Sequence, residues 1–324
     1  MATFLCSLLS LAALTHAPQE PTATSAPPES LAVLRARLAQ DSSDGSAWFA
    51  LGRVYLELWD AAHRSTHGAR ADSAGAGAVL DTAEQALGRA AHLLGASGAS
   101  PAGDSARVLR VAAWNARSLL AWEARGITAG PEAWGPLPTD LKLPPVLEEL
   151  GENLLRACPT DGVLLTADDA DSYAAWYMRF ARGLRPDLLV VPLAAWQGDV
   201  VFRARLAADL KLGRRGNGDA WLSELAQRRP VCVSMAFDRP PDPRPRVKWA
   251  TRPLVWVAGP GAGGRDRVPP RDFVFAAVRM ALDDHDAWAL PALALYARSA
   301  RATPQLCDAL RTFRLITEIP RCRR

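Results

Sequence analysis

The chain has 324 residues, 38 Lys and Arg against 34 Asp and Glu, and a formal charge of +4, with 49% hydrophobic and 22% charged residues. That composition excludes a disordered or collagen-like chain, and the length predicts more than one domain. The lysines are Lys142, Lys211 and Lys248 alone; the abundant arginines interleave with acids instead of clustering, so no nucleic-acid partner is expected.

Leu5 to Leu14 is an apolar run of ten residues followed by Thr15-His16-Ala17. It is too short to span a bilayer and suits the core of an export signal over residues 1–17. No Lys or Arg precedes it and Pro18 follows it, so an uncleaved segment tethering the protein to a membrane is the alternative. Export predicts a periplasmic or extracellular location. It also gives meaning to Cys158, Cys232, Cys307 and Cys322, since four cysteines in an oxidising compartment allow two disulfides in three pairings. Cys307–Cys322 is the favoured pair, tying the tail to a helix. Cys158 and Cys232 are either the second pair or buried small hydrophobes.

Residues 18–29 are a Pro/Thr/Ser linker with too little apolar surface to order itself. A helix is predicted from Ser30 through Leu31, Leu34 and Leu38, ending near Asp41–Gly45. Trp48, Leu51-Gly52 and Tyr55 then resemble the first helix of a tetratricopeptide repeat, with Gly52 admitting a partner helix. His63 to Gly77 reads as a polar insertion, and helices Ala83–Leu94 and Arg107–Arg125 follow. Residues 30–125 are thus expected to form tetratricopeptide-like hairpins, whose usual use is to hold a protein partner. Pro- and Gly-rich residues 126–146 read as a linker.

From residue 147 to 262 helices and strands alternate, which predicts an α/β domain with a small, mostly parallel sheet. The expected elements are helix Leu147–Arg156, strand Val163–Thr166, helix Asp171–Arg182, strand Leu188–Pro192, helices Val200–Leu212 and Ala220–Arg228, strand Pro230–Phe237 and strand Pro253–Ala258. The last strand is free to pair antiparallel at an edge. Helices Asp272–Leu282, Pro291–Arg301 and Gln305–Phe313, within residues 263–324, are expected to pack back on this domain.

One loop stands out chemically. The strand ending at Thr166 runs into Asp168, Asp169 and Asp171, three carboxylates that repel one another unless a cation or hydrogen-bond donors offset them. Loops at the carboxyl ends of strands are where α/β sheets place ligands. Asp169 and Asp171 form an Asp-x-Asp pair suited to a divalent cation such as magnesium, manganese or calcium, with Asp168, Ser172 and Arg185 as further ligand-binding candidates. The competing role is structural, with Asp169 capping the next helix and Asp171 favouring its positive end. Trp176 and Tyr177 read as core, and Gly259–Gly264 as a flexible loop lacking the phosphate-binding lysine. His63 and His67 would chelate on a helix, but no third ligand is evident. Asp283–Asp286 reads as a solvated helix end. No serine elbow or cysteine–histidine pattern suggests nucleophilic catalysis.

The string Thr166-Ala167-Asp168-Asp169-Ala170-Asp171-Ser172-Tyr173, then Trp176-Tyr177, Gly183-Leu184-Arg185-Pro186-Asp187, Arg229-Pro230-Val231 and Leu254-Val255-Trp256-Val257 resembles a family pattern. The pattern is that of the soluble C-terminal domain, of unknown function, in multi-pass bacterial membrane proteins related to protein O-mannosyltransferases. Asp169 and Asp171 match its two acids, Ser172 its hydroxyl and Tyr173 its aromatic, while Asp168 stands where the family has Gly and Ala170 where it has Asn. The resemblance spans residues 150–260 and implies a fold and a loop, without a reaction. Two functions are expected on these grounds. The first is a non-enzymatic scaffold of the bacterial envelope, without a cofactor. The alternative is a carbohydrate- or sugar-nucleotide-related binding protein or enzyme using a cation at Asp169 and Asp171.

Overall fold

The computed structural model describes residues 30–65, 73–96, 100–167, 169–213, 218–243, 246–263 and 272–323. The export signal, the 18–29 linker, His67 and Asp168 lie outside the described residues. Ser30 starts the first helix, α1 (Leu31–Gln40), by accepting the Val33 N–H on its side chain. This is the capping geometry that Ser supplies at about 1 kcal/mol. Asp44 likewise accepts from Ala47 N at 2.9 Å at the start of α2 (Gly45–Ser65). The histidine-bearing stretch expected to be an insertion is therefore helical through Ser65. Helix α3 (Ser73–Leu94) packs along α2, and a Cβ added to Gly52 would stand 2.5 Å from Leu87 Cγ. Glycine there is what allows the two helices to approach so closely.

Helix α4 (Pro101–Arg125) faces two ways. Ala106, Ala116 and Leu120 pack toward the helices before it. Val108, Val111, Trp114 and Trp122 belong to the large core that continues through the sheet to Cys322. Residues 126–146, proline-rich in sequence, are packed: Ala129, Trp134 of α5 (Pro131–Trp134), Leu141 and Leu143 are buried in the same core. The Trp122 indole donates to Ala129 O at 3.0 Å, and Gly126 and Gly135 take the positive φ values (91° and 97°) that turn the chain back.

After α6 (Pro145–Ala157) come β1 (Val163–Thr166), α7 (Asp169–Trp176), β2 (Leu189–Pro192), α8 (Leu193–Gly198), α9 (Val200–Asp209), α10 (Gly218–Arg228) and β3 (Val231–Ser234). The hairpin β4 (Ala250–Arg252) and β5 (Val255–Ala258) follows, then α11 (Ala276–Asp283), α12 (Ala289–Ala302) and α13 (Leu306–Thr312). The strand order is β2-β1-β3-β5-β4. β1 pairs parallel with β2 and β3, while β5 runs antiparallel between β3 and β4. Four strands thus point one way, giving a mixed α/β fold in which most strands are parallel. The expected helix Asp171–Arg182 begins two residues earlier and relaxes into a π-helical turn over Tyr177–Ala181. Strand β4 and helix α8 escape the sequence reading because they have 3 and 6 residues.

Two disulfides fasten this layer. Cys158–Cys232 joins the end of α6 to β3, and Cys307–Cys322 closes the C-terminal tail. Among the described residues no helix is long and apolar enough to cross a membrane.

Candidate functional site

The acidic loop after β1 divides its residues between structure and surface. Asp171 is fully buried, and both its carboxylate oxygens face Ala167 N, at 2.9 and 3.2 Å. Ser172 lines the cavity described below, and its Oγ donates to the buried Thr166 Oγ1 at 2.8 Å. These two side chains hold the strand-to-helix turn in shape, because a buried carboxylate must be satisfied by donors. Asp169 is exposed and lines a cavity of about 340 Å³. Tyr173 lines it too, and hydrogen-bonds Asp169. Burial first, then the Asp169 charge, pushes the Tyr173 phenol far above its ordinary range, so it stays a neutral donor.

Arg185 is not part of this site. Its guanidinium donates to Leu155 O, Cys158 O and both carboxylate oxygens of Asp187. It precedes β2 at the amino edge of the sheet, whereas the cavity sits at the carboxyl ends of β1 and β2. The expected convergence of Arg185 on Asp169 is therefore corrected by chain direction: parallel strands put the turn that enters β2 and the loop that leaves β1 at opposite edges. Asp169 and Asp171 also face different surroundings. Only Asp169 lines the cavity, and the Asp171 oxygens are engaged by Ala167 N–H.

The opposite wall comes from the helical layer. Trp59, Asp60 and His63 of α2 and Ala116 and Leu119 of α4 face Pro192 at the end of β2, Ala195 of α8 and Asp199 at the start of α9. His63 Nε2 lies 2.9 Å from Asp199 Oδ2 and 3.3 Å from Glu123 Oε1 of α4. Asp199 is itself anchored, its Oδ1 accepting Phe202 N at 2.9 Å as the cap of α9. The His63 ring stacks on Trp59 with centroids 5.0 Å apart.

These three groups set one another's protonation. The hydrogen bond to Asp199 raises the His63 pKa against the opposing effect of burial. Burial pushes Glu123 up to about 8, against the pull of His63. Burial also works against the Asp199 charge, but the bonds from His63 and Phe202 N outweigh it and hold Asp199 well below the usual carboxylate range. The arrangement favours charge on Asp199 and His63 and disfavours it on the buried Glu123. The cavity keeps the exposed Asp169 across from it, with Asp60 nearby.

Sequence reading met His63 without finding its partners. Glu123 and Asp199 lie 60 and 136 residues away from it, on other elements. The one local signal was Asp199 itself, an acid immediately before the helix expected from Val200, where it caps α9.

Comparison of the chain with protein-family models, with characterised proteins and with solved structures finds no match.

Proposed function

We propose that this is an exported binding protein whose cleft, between helices α2 and α4 and the carboxyl ends of β1 and β2, holds a small hydroxylated ligand of the carbohydrate class. The observation that carries the reading is the pairing of acceptors with an unused donor on one cavity. Asp60, Asp169 and Asp199 line it, carboxylates that accept hydrogen bonds from hydroxyls. Trp59 lines it with a buried Nε1–H that has no acceptor among the described residues. A buried donor left unmet costs about 1–3 kcal/mol, and a ligand oxygen would relieve that cost. Leu119, Pro192 and the alanines supply the apolar remainder, and a cavity of about 340 Å³ is at the small end of the ligand range. The two disulfides support an oxidising, exported setting. The family resemblance over residues 150–260 supports placement in the bacterial envelope.

A scaffold with a protein partner on the helical layer is the second reading, favoured by Val33 and Leu58, which stand exposed there. It is the weaker one because α4, the last helix of that layer, already lies against α7 and α9. Isothermal titration of the mature chain against a panel of mono- and disaccharides decides between them. Saturable binding that weakens at least tenfold in Asp169→Asn and Trp59→Phe is expected. No heat from any sugar, together with a stable complex formed with an envelope protein and lost in Leu58→Asp, would favour the scaffold.

A further inference from the structure

The His63–Glu123–Asp199 cluster goes beyond that reading and does not depend on it. We propose that these three side chains bind one divalent transition-metal ion of the zinc or manganese class in the cleft wall. The donor atoms His63 Nε2, Asp199 Oδ2 and a Glu123 carboxylate oxygen all lie within 4.8 Å of one another. An ion held at about 2.0–2.2 Å by nitrogen and oxygen ligands requires adjacent donors roughly 3–3.5 Å apart. The observed separations of 2.9 and 3.3 Å from Nε2 meet that requirement without rearrangement.

The donors are also aimed. Asp199 uses Oδ1 on Phe202 N, which turns Oδ2 toward His63, and stacking on Trp59 fixes the imidazole plane. Supporting contacts of this kind orient the ligands of metal sites. Glu123 supplies the independent observation. The Glu123 carboxyl bonds to Asp199, yet its Oε1 is buried and has no hydrogen-bond partner among the described residues. Nε2 carries at most one hydrogen, and that hydrogen serves Asp199 at 2.9 Å. A buried acceptor left unmet in this way calls for an explanation, and a cation between the three groups provides one.

The ligand types choose the ion. One imidazole among two carboxylates suits zinc or manganese better than calcium or magnesium, which prefer oxygen alone, and the absence of a thiolate from the cluster disfavours cuprous copper. His63 and Asp199 both line the cavity, so the remaining coordination positions face the cleft. That is the layout of a site with an open position, as distinct from a closed structural one.

The test uses tag-free mature protein stripped with EDTA, then dialysed against Zn²⁺ or Mn²⁺ and assayed for bound metal. One ion per chain is expected. His63→Gln and Glu123→Gln should each weaken binding at least tenfold while keeping the far-UV spectrum and metal-free melting temperature of the parent. Asp283→Asn, outside the cleft, should bind as the parent does. The Mn²⁺-loaded protein should show nitrogen hyperfine coupling from one imidazole, absent in His63→Gln. No retained ion, or retention in both cleft variants equal to that of the parent, would overturn the site. So would loss of the ion in Asp169→Asn with His63→Gln unaffected, which would move it to the acidic loop. Because the titration includes no sugar, it fails or succeeds separately from the carbohydrate reading.

Discussion

Asp171 and Ala167 are joined through both oxygens of a carboxylate that solvent does not reach, closing the turn between β1 and α7. Asp169, two residues earlier, is exposed on the cleft. The two acids should therefore separate cleanly in mutagenesis. Asp171→Asn is expected to lose about 2 kcal/mol of stability, the scale of a buried hydrogen bond to a charged group. Asp169→Asn should stay within about 0.5 kcal/mol of the parent and change only ligand binding. Urea unfolding of both variants checks this, and equal losses would contradict the division of labour.

Glu149 predicts a pH dependence. It accepts the N–H groups of Ala277 and Val278 at the start of α11, yet burial outweighs those bonds and pushes its pKa up to about 7 from 4.5. An acid whose folded pKa is raised binds more protons folded than unfolded between those two values. Its contribution to stability therefore falls as pH rises through that window and is lowest above about 7. Glu149→Gln should remove part of the slope, of order 1 kcal/mol between pH 5 and pH 8 after allowance for partial exposure. Paired melts of parent and variant across that range measure it. Glu123 adds a slope of the same sign, so the difference between the two proteins is the quantity to read.

Gly151 should tolerate no side chain. A Cβ there would lie 2.3 Å from the backbone oxygen of Ala174 on α7, whereas the one at Gly52 would meet the movable Leu87 side chain at 2.5 Å. Backbone cannot step aside as a leucine rotamer can. Gly151→Ala is expected to cost about 3 kcal/mol or to abolish folding, with Gly52→Ala nearer 1 kcal/mol. Comparable losses for the two would contradict this reading of the α6–α7 contact.

Cys158–Cys232 closes a loop with a sequence separation of 74, against 15 for Cys307–Cys322. Chain entropy then assigns about 4 kcal/mol to the first and about 3 kcal/mol to the second. Replacing each pair by alanine and following denaturant midpoints should reproduce that order. The Cys158/Cys232 variant should also unfold across the sheet, since Cys232 sits in β3 between β1 and β5.

Local physics made much of the fold legible. Val163–Thr166 reads as a strand from its short apolar run, which the sheet then buries at all four positions, and Ser30 announces a helix because its hydroxyl can satisfy an N–H at the helix start. The sequence also marks the loop after β1 as chemically exceptional through its crowded acids. Tertiary structure decided which acids face a ligand. Asp171 turned inward, Asp168 lies outside the described residues, and Arg185 fell at the far edge because parallel strands carry it there. It also packed residues 126–146, since proline and glycine mark turns without saying whether the turns are wet or dry. His63, Glu123 and Asp199 converge only when α2 and α4 settle on the sheet. Backbone propensity and side-chain period act over a few residues, whereas this cluster depends on packing between segments 60 and 136 residues from His63.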